Sequence, residues 1–241
     1  MLKELENELR SLADPKRAAG ARRFFKTGPG QYGAGDVFIG LTVPDTRRLA
    51  KKYQDLGWND LDRLLKSKIH EFRLAALFIL IARYQKAGDP KLKKRIFDFY
   101  YARRRRINSW DLVDISAPNI FGDYLLVTKQ GISRLLIMAK SKDLWERRIA
   151  MIATFSFIKA GRSEEALQVA ARLLHDRHDL IHKALGWMLR ELGKRVGQDH
   201  LTAFLDREAA GMPRTALRYA IERLPTDLRA HYLRLKKVGI H

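Results

Sequence analysis

"EFRLAALFILIARYQKAGDP", residues 71–90, decides the fold. Its apolar centre, "LAALFILIA" (74–82), lies between Arg73 and Arg83 and is too short to span a bilayer. Its length and its "AGDP" stop mark a helix ended by a turn, not a strand. Helical periodicity recurs in "LENELRSL", "VPDTRRLAKKY", "WNDLDRLLKS", "KLKKRIFDFYYARR", "LWERRIAMIATFSFIKAG", "EEALQVAARLLH", "IHKALGWMLRELGKR" and "PRTALRYAIERL". The breaks between them are short. Only "DVFIGLTV" (36–43) offers a strand, and the glycine-rich "GPGQYGAGD" before it allows a loop equally well.

The helices come in pairs. Aligned on the second helix of each pair, the units begin at Arg73, Trp110, Arg148, Lys183 and Thr215, with offsets of 37, 38, 35 and 32 residues. A two-helix unit of that length predicts an all-α, HEAT-like helical-repeat solenoid with a concave basic surface. No long linker interrupts it, so one domain over residues 1–241 is expected. The fifth positions of the units are Leu77, Asp114, Ile152, Trp187 and Tyr219. Because i and i+4 share a helix face, the alignment predicts that Trp110, Asp114, Arg148 and Trp187 meet on the inner surface, with Lys183 as a second cation.

Composition narrows the partner. Lys and Arg number 47 against 27 Asp and Glu, a net charge of +20. That exceeds what solubility needs and points to a polyanion. The absence of cysteine excludes disulfides and thiolate metal sites. No HExxH or comparable histidine cluster occurs, so neither a metal nor a cofactor is expected. The start, "MLKELENELRSLADPKR", is amphipathic and charged, unlike a signal peptide. A cytoplasmic monomer that does not enter membranes is expected.

Within "INSWDLVDISAP" (107–118), Asn108 is expected to cap a helix, with Asp111 in a capping-box position. Pro118 cannot return an N–H to the Asp114 carbonyl, so the helix should end or kink there. Asp114 then stands one turn after Trp110 in locally irregular backbone, a costly arrangement more usual at a working site than in scaffold. The bland alternatives are an Asp114–Arg148 structural pair, tryptophans packed in the core, and an Arg148 that pairs with Glu146 or Asp143.

At "SWDLVDISAP", "LWERRIA", "HKALGWMLRE" and "VPDTRRLAKKY" the chain resembles the AlkD family of bacterial DNA glycosylases, from about Arg22 to Leu224. The resemblance implies a helical-repeat cradle for duplex DNA and excision of alkylated purines. It assigns Asp114 as the catalytic carboxylate, Trp110 and Trp187 as faces against the lesion's deoxyribose, and Arg148 as a grip on the backbone beside it. An N-terminal aromatic of the family has Phe24, Phe25 and Tyr32 as candidates. Arg103, Arg104, Arg105 and Arg106, with Lys183, Arg190, Arg214 and Arg218, are candidate phosphate contacts. The competing readings are a non-catalytic binder of bent or damaged DNA and a protein-interaction scaffold.

The charge generates a first expectation. Phosphate contacts by Lys and Arg carry little sequence information, so duplex binding should show little sequence preference. If about five phosphates are neutralised, log affinity should fall against log salt with a slope of roughly −4 to −5. A salt-independent affinity would contradict this.

Overall fold

The computed structural model describes residues 1–235. Its contacts separate the chain into two compact units, Met1–Ser116 and the residues from Ala117 onward. Residues 236–241, which the expected single domain includes, lie outside the described residues. The regular elements are helical, as predicted. The candidate strand is not formed: Val37 makes an isolated parallel bridge to Ile69, and Val43 already starts a helix. Among the described residues no helix is long and apolar enough to cross a membrane.

The first unit contains α1 (Leu2–Ser11), α2 (Pro15–Phe24), α3 (Val43–Lys52), α4 (Trp58–Lys66), α5 (His70–Lys86), α6 (Pro90–Ala102) and α7 (Trp110–Ser116). Several starts are written in the sequence. Asp14 accepts from Arg17 N and precedes Pro15; Asp89 accepts from Lys91 N and precedes Pro90; Thr42 accepts from Asp45 N. Each is a side-chain cap beside a proline whose missing N–H costs nothing in the first turn. Helix α5 is the core: His70 to Leu80 are all buried, and α3, α4, α6 and α7 pack on it. A helix apolar on every side belongs in an interior.

Gly40 closes the approach to this core. It has φ +87°, and a Cβ there would stand 2.2 Å from the Asp14 carbonyl oxygen. Beside it, the Glu71 carboxylate accepts from Ile39 N and Gly40 N. The segment 36–42 is therefore pinned by these side-chain bonds together with the Val37–Ile69 bridge and an Asp14 N–H donated to the Ile39 carbonyl.

The second unit opens with a π turn, Ala117–Gly122. It continues through α8 (Asp123–Val127), α9 (Ser133–Ala139), α10 (Leu144–Ala153), α11 (Phe155–Lys159), α12 (Glu164–Leu173), α13 (Asp179–Arg195), α14 (Gln198–Glu208), α15 (Arg214–Ala220) and α16 (Thr226–Arg234). Here α13 is central, packed against α10, α11, α12, α14 and α15. Helix α7 ends at Ser116, as expected from Pro118, and the backbone continues as the wider π turn, which absorbs the lost i→i−4 bond. Ser156 Oγ donates to the Pro118 carbonyl at 2.6 Å. Gly122 lets α10 approach: a Cβ would lie 2.1 Å from the Ala153 carbonyl oxygen.

The Gly122→Ala variant is accordingly expected to lose about 1–3 kcal/mol of stability, since backbone rather than a flexible side chain must move. Denaturant unfolding of the full chain checks this; an unchanged midpoint would show that the contact relaxes freely.

Candidate functional site

Helix α7 is short, and its first residue is Trp110. Asn108 is not its cap. Ser109 immediately precedes the helix, and its hydroxyl donates to Asp111 Oδ1 at 2.6 Å. The other Asp111 oxygen lies 2.8 Å from His70 Nε2. Asp111 is thus spent, as expected, but on a histidine of α5 and on Ser109 rather than on a capping box with Asn108. Asp114 follows Trp110 by four residues, and both are half-buried, so one face of α7 carries an indole and a carboxylate.

Aromatic rings from the N-terminal segment surround Trp110. Phe25 stacks on the indole with centroids 5.2 Å apart and planes at 13°. Phe24 meets it edge-on at 5.8 Å and is 65% exposed. Tyr32 is half-buried, and its hydroxyl donates to the Phe24 carbonyl at 3.4 Å. Phe25 also stacks on Phe38, 4.8 Å away. His70 lies against both rings, at 4.5 Å from Phe38 and 5.2 Å from Phe25. The pair "FF" at 24–25 was the visible signal; Phe38 and His70 carried none that periodicity would single out.

Beneath this stack is a buried charge cluster. His70 is 2% exposed. Its Nδ1 lies 3.7 Å from Asp36 Oδ2, an electrostatic rather than a hydrogen-bonding distance. Asp36 also receives Arg73 at 2.7 Å. Burial opposes charge on His70, but Asp111 and then Asp36 outweigh it and raise the imidazole's pKa, with Arg73 acting against them. Burial likewise pushes Asp111 upward, and the His70 hydrogen bond more than reverses it, leaving its carboxyl below the usual range. Each group thus favours the charged form of the other, an imidazolium facing a carboxylate.

The structure redistributes the aligned positions. Arg73 does not reach a surface: it is 2% exposed and donates to the Ser67 and Lys68 carbonyls as well as to Asp36. Leu77 and Ile152 are core residues, whereas Tyr219 is exposed. In the second unit Trp187 is half-buried, with Phe155 6.4 Å away. Arg148 is 4% exposed and donates to the Leu180 carbonyl at 2.5 Å, tying α10 to the first turn of α13. Asp143 instead caps α10 by accepting from Trp145 N and Glu146 N.

The basic candidates divide in the same way. Arg103 is held by Asp62 at 2.5 Å and lies over the Phe99 ring; Arg104 lies over Tyr101. Arg105, Arg106 and Arg218 are exposed. Lys183 makes a surface pair with Asp179 at 2.8 Å, an interaction of little strength. Arg190 is paired with Glu222, and Arg214 donates to the Leu233 carbonyl at 3.0 Å.

The family profile described as "DNA alkylation repair enzyme" matches residues 5–224. A predicted DNA alkylation repair enzyme from Enterococcus faecalis shares the fold with a TM-score of 0.68 at 16% identity, over 89% of this chain and 97% of that one. AlkD2 from Streptococcus mutans is similar with a TM-score of 0.55 at 17% identity, over 86% of this chain and 97% of that one. No curated protein sequence matches the chain.

The His70–Asp111 pair gives the first unit a defined pH dependence. Asp111, with its lowered pKa, stabilises above the ordinary carboxylate value and loses that contribution as pH falls through its folded value. His70, with its raised pKa, stabilises fully below the ordinary imidazole value and loses that contribution as pH rises through its folded value. The stability gap between the protein and its Asp111→Asn variant should therefore be widest from about pH 4 to about pH 6.5. Denaturant midpoints across the pH range check this, and a gap constant with pH would contradict it.

Proposed function

The chain belongs to the family of DNA alkylation repair enzymes, and from that premise we propose that it is a DNA glycosylase excising purines alkylated at N3 or N7 from duplex DNA. The observation that carries this reading is the pairing on α7. Trp110 and Asp114 share one face, while Asp111, the other carboxylate of the helix, is already engaged by His70 and Ser109. The chemistry is assigned to Asp114 alone, and one acid suffices for this substrate class.

Glycoside hydrolysis passes through an oxocarbenium-like sugar and usually employs two carboxylates, one of which protonates the leaving group. A purine alkylated at N3 or N7 already carries positive charge. It departs with the electrons of the C1′–N bond as a neutral base. Asp114 then stabilises the cationic sugar and orients the water that adds to C1′, its proton passing to the carboxylate or solvent. The Trp110 face adds cation–π attraction to the same developing charge. Trp187 offers a second indole, with Arg148 acting as a positioning residue for the helix that carries it. Arg105, Arg106, Lys183 and Arg218 supply phosphate contacts, and Arg103, Arg104, Arg190 and Arg214 set the surfaces around them. The reaction as drawn needs no metal or cofactor and ends at an abasic site.

In a single-turnover assay on methylated duplex DNA, the protein should release free base. Asp114→Asn should bind the same DNA but react about 10²–10³-fold more slowly, the usual cost of losing a preorganised electrostatic group. Near-normal excision by that variant would remove Asp114 from the chemistry. Binding without base release by the unaltered protein would leave a non-catalytic DNA-binding role.

A further inference from the structure

The charge cluster beneath Trp110 has a use that the reaction above does not assign. Four ionisable groups meet there: His70 and Arg73 from α5, Asp36 from the preceding segment, and Asp111 from α7. Glu71, the neighbour of His70, turns instead to the backbone N–H groups of Ile39 and Gly40. With His70 protonated, the four charges balance. With His70 neutral, two carboxylates face one guanidinium in a buried site, an imbalance that low-dielectric surroundings make costly.

The geometry links that balance to the site. His70 opens α5, the central helix of the first unit, and Asp111 lies beside Trp110 in the first turn of α7. One 2.8 Å contact therefore joins the core helix to the helix bearing the indole and Asp114. The ring of His70 also backs Phe38 and Phe25, and Phe25 is the face on which Trp110 stacks. His70 thus supports Trp110 by two routes, through the carboxylate next to it and through the ring against it. Its Nδ1 has no hydrogen-bond partner among the described residues, so the Asp111 contact is its directional anchor.

We propose, resting on the glycosylase reading, that His70 is a positioning residue for excision: as an imidazolium between Asp36 and Asp111 it clamps α5 to the first turn of α7 and holds Trp110 and Asp114 in register. Loss of its proton weakens the Asp111 bond and leaves the cluster with excess negative charge. The first turn of α7 then shifts, and excision slows while the fold persists. The alkaline limit of the reaction is thereby set by a group that never touches the substrate.

The test follows the proton and the indole together in the full-length protein. Proton–carbon spectra track the His70 ring, assigned by its loss in His70→Gln. Proton–nitrogen spectra track the Trp110 indole N–H, assigned with Trp110→Phe. His70 should titrate above the free imidazole, with the Trp110 resonance moving at the same midpoint. Single-turnover release of 7-methylguanine should decline as pH rises through that midpoint, and Asp111→Asn should shift both titration and rate limit to lower pH. His70→Gln should excise about 10–100-fold more slowly at neutral pH, the scale expected of a small misplacement of catalytic groups. An indole resonance that stays still while His70 titrates overturns the proposal, and this reading needs only the unaltered protein to be folded. Excision by His70→Gln at the original rate and pH profile overturns it equally. Absence of base release at every pH contradicts the glycosylase reading alone, because the spectra still decide whether His70 governs Trp110.

Discussion

The contact between His70 and Asp111 is the constraint on which the candidate site of the first unit depends. Burying an ion costs several kcal/mol unless a well-placed partner and further hydrogen bonds compensate. Here His70, Asp36, Arg73 and Asp111 partner one another, while His70 Nδ1 and Arg73 Nε are buried without a hydrogen bond. The interaction therefore contributes geometry more than net stability: replacing the cluster with apolar side chains could keep a core, but would lose the directional tie between α5 and α7. Above it, Phe38, Phe25 and Trp110 form a stack whose exposed edge is Phe24. Asp114, half-buried, follows one turn along the same helix.

Much of this was legible in the sequence, and the failures have physical causes. The all-helical class and the relation of Trp110 to Asp114 followed from periodicity, because i and i+4 share a face in any α-helix. The repeat alignment was less faithful. It treated every unit as presenting the same face, yet Leu77 and Ile152 are in the core while Tyr219 is exposed. A helix apolar all round, like α5, gives no sign of which side is inward, and the π turn at Ala117–Gly122 changes the rotation of the helix after it. Helix α2 shows little periodicity because "PKRAAGARRF" has few large apolar residues, although Asp14 and Pro15 mark its start. His70 could not be singled out, since its partners Asp36 and Asp111 are distant in sequence and brought together only by packing.

The comparisons and the chemistry play different parts. Solved relatives at 16–17% identity fix the fold and say nothing about individual residues. The family match gives DNA alkylation repair as the role. The step from repair to a defined reaction rests on how carboxylates are used on α7. One is committed to a buried histidine and one stands beside an indole. That set is suited to stabilising positive charge on a sugar and poorly suited to protonating a leaving base.

The assignment of the chemistry to a single carboxylate is open to test through the dependence of excision on lesion charge. Duplex oligonucleotides carrying 7-methylguanine, 3-methyladenine, uracil or hypoxanthine at one matched position would be compared under single-turnover conditions. Release of the two cationic bases is expected, with little or no release of the neutral pair. Comparable rates on uracil or hypoxanthine would contradict it, because they require a general acid that the Trp110–Asp114 face does not supply.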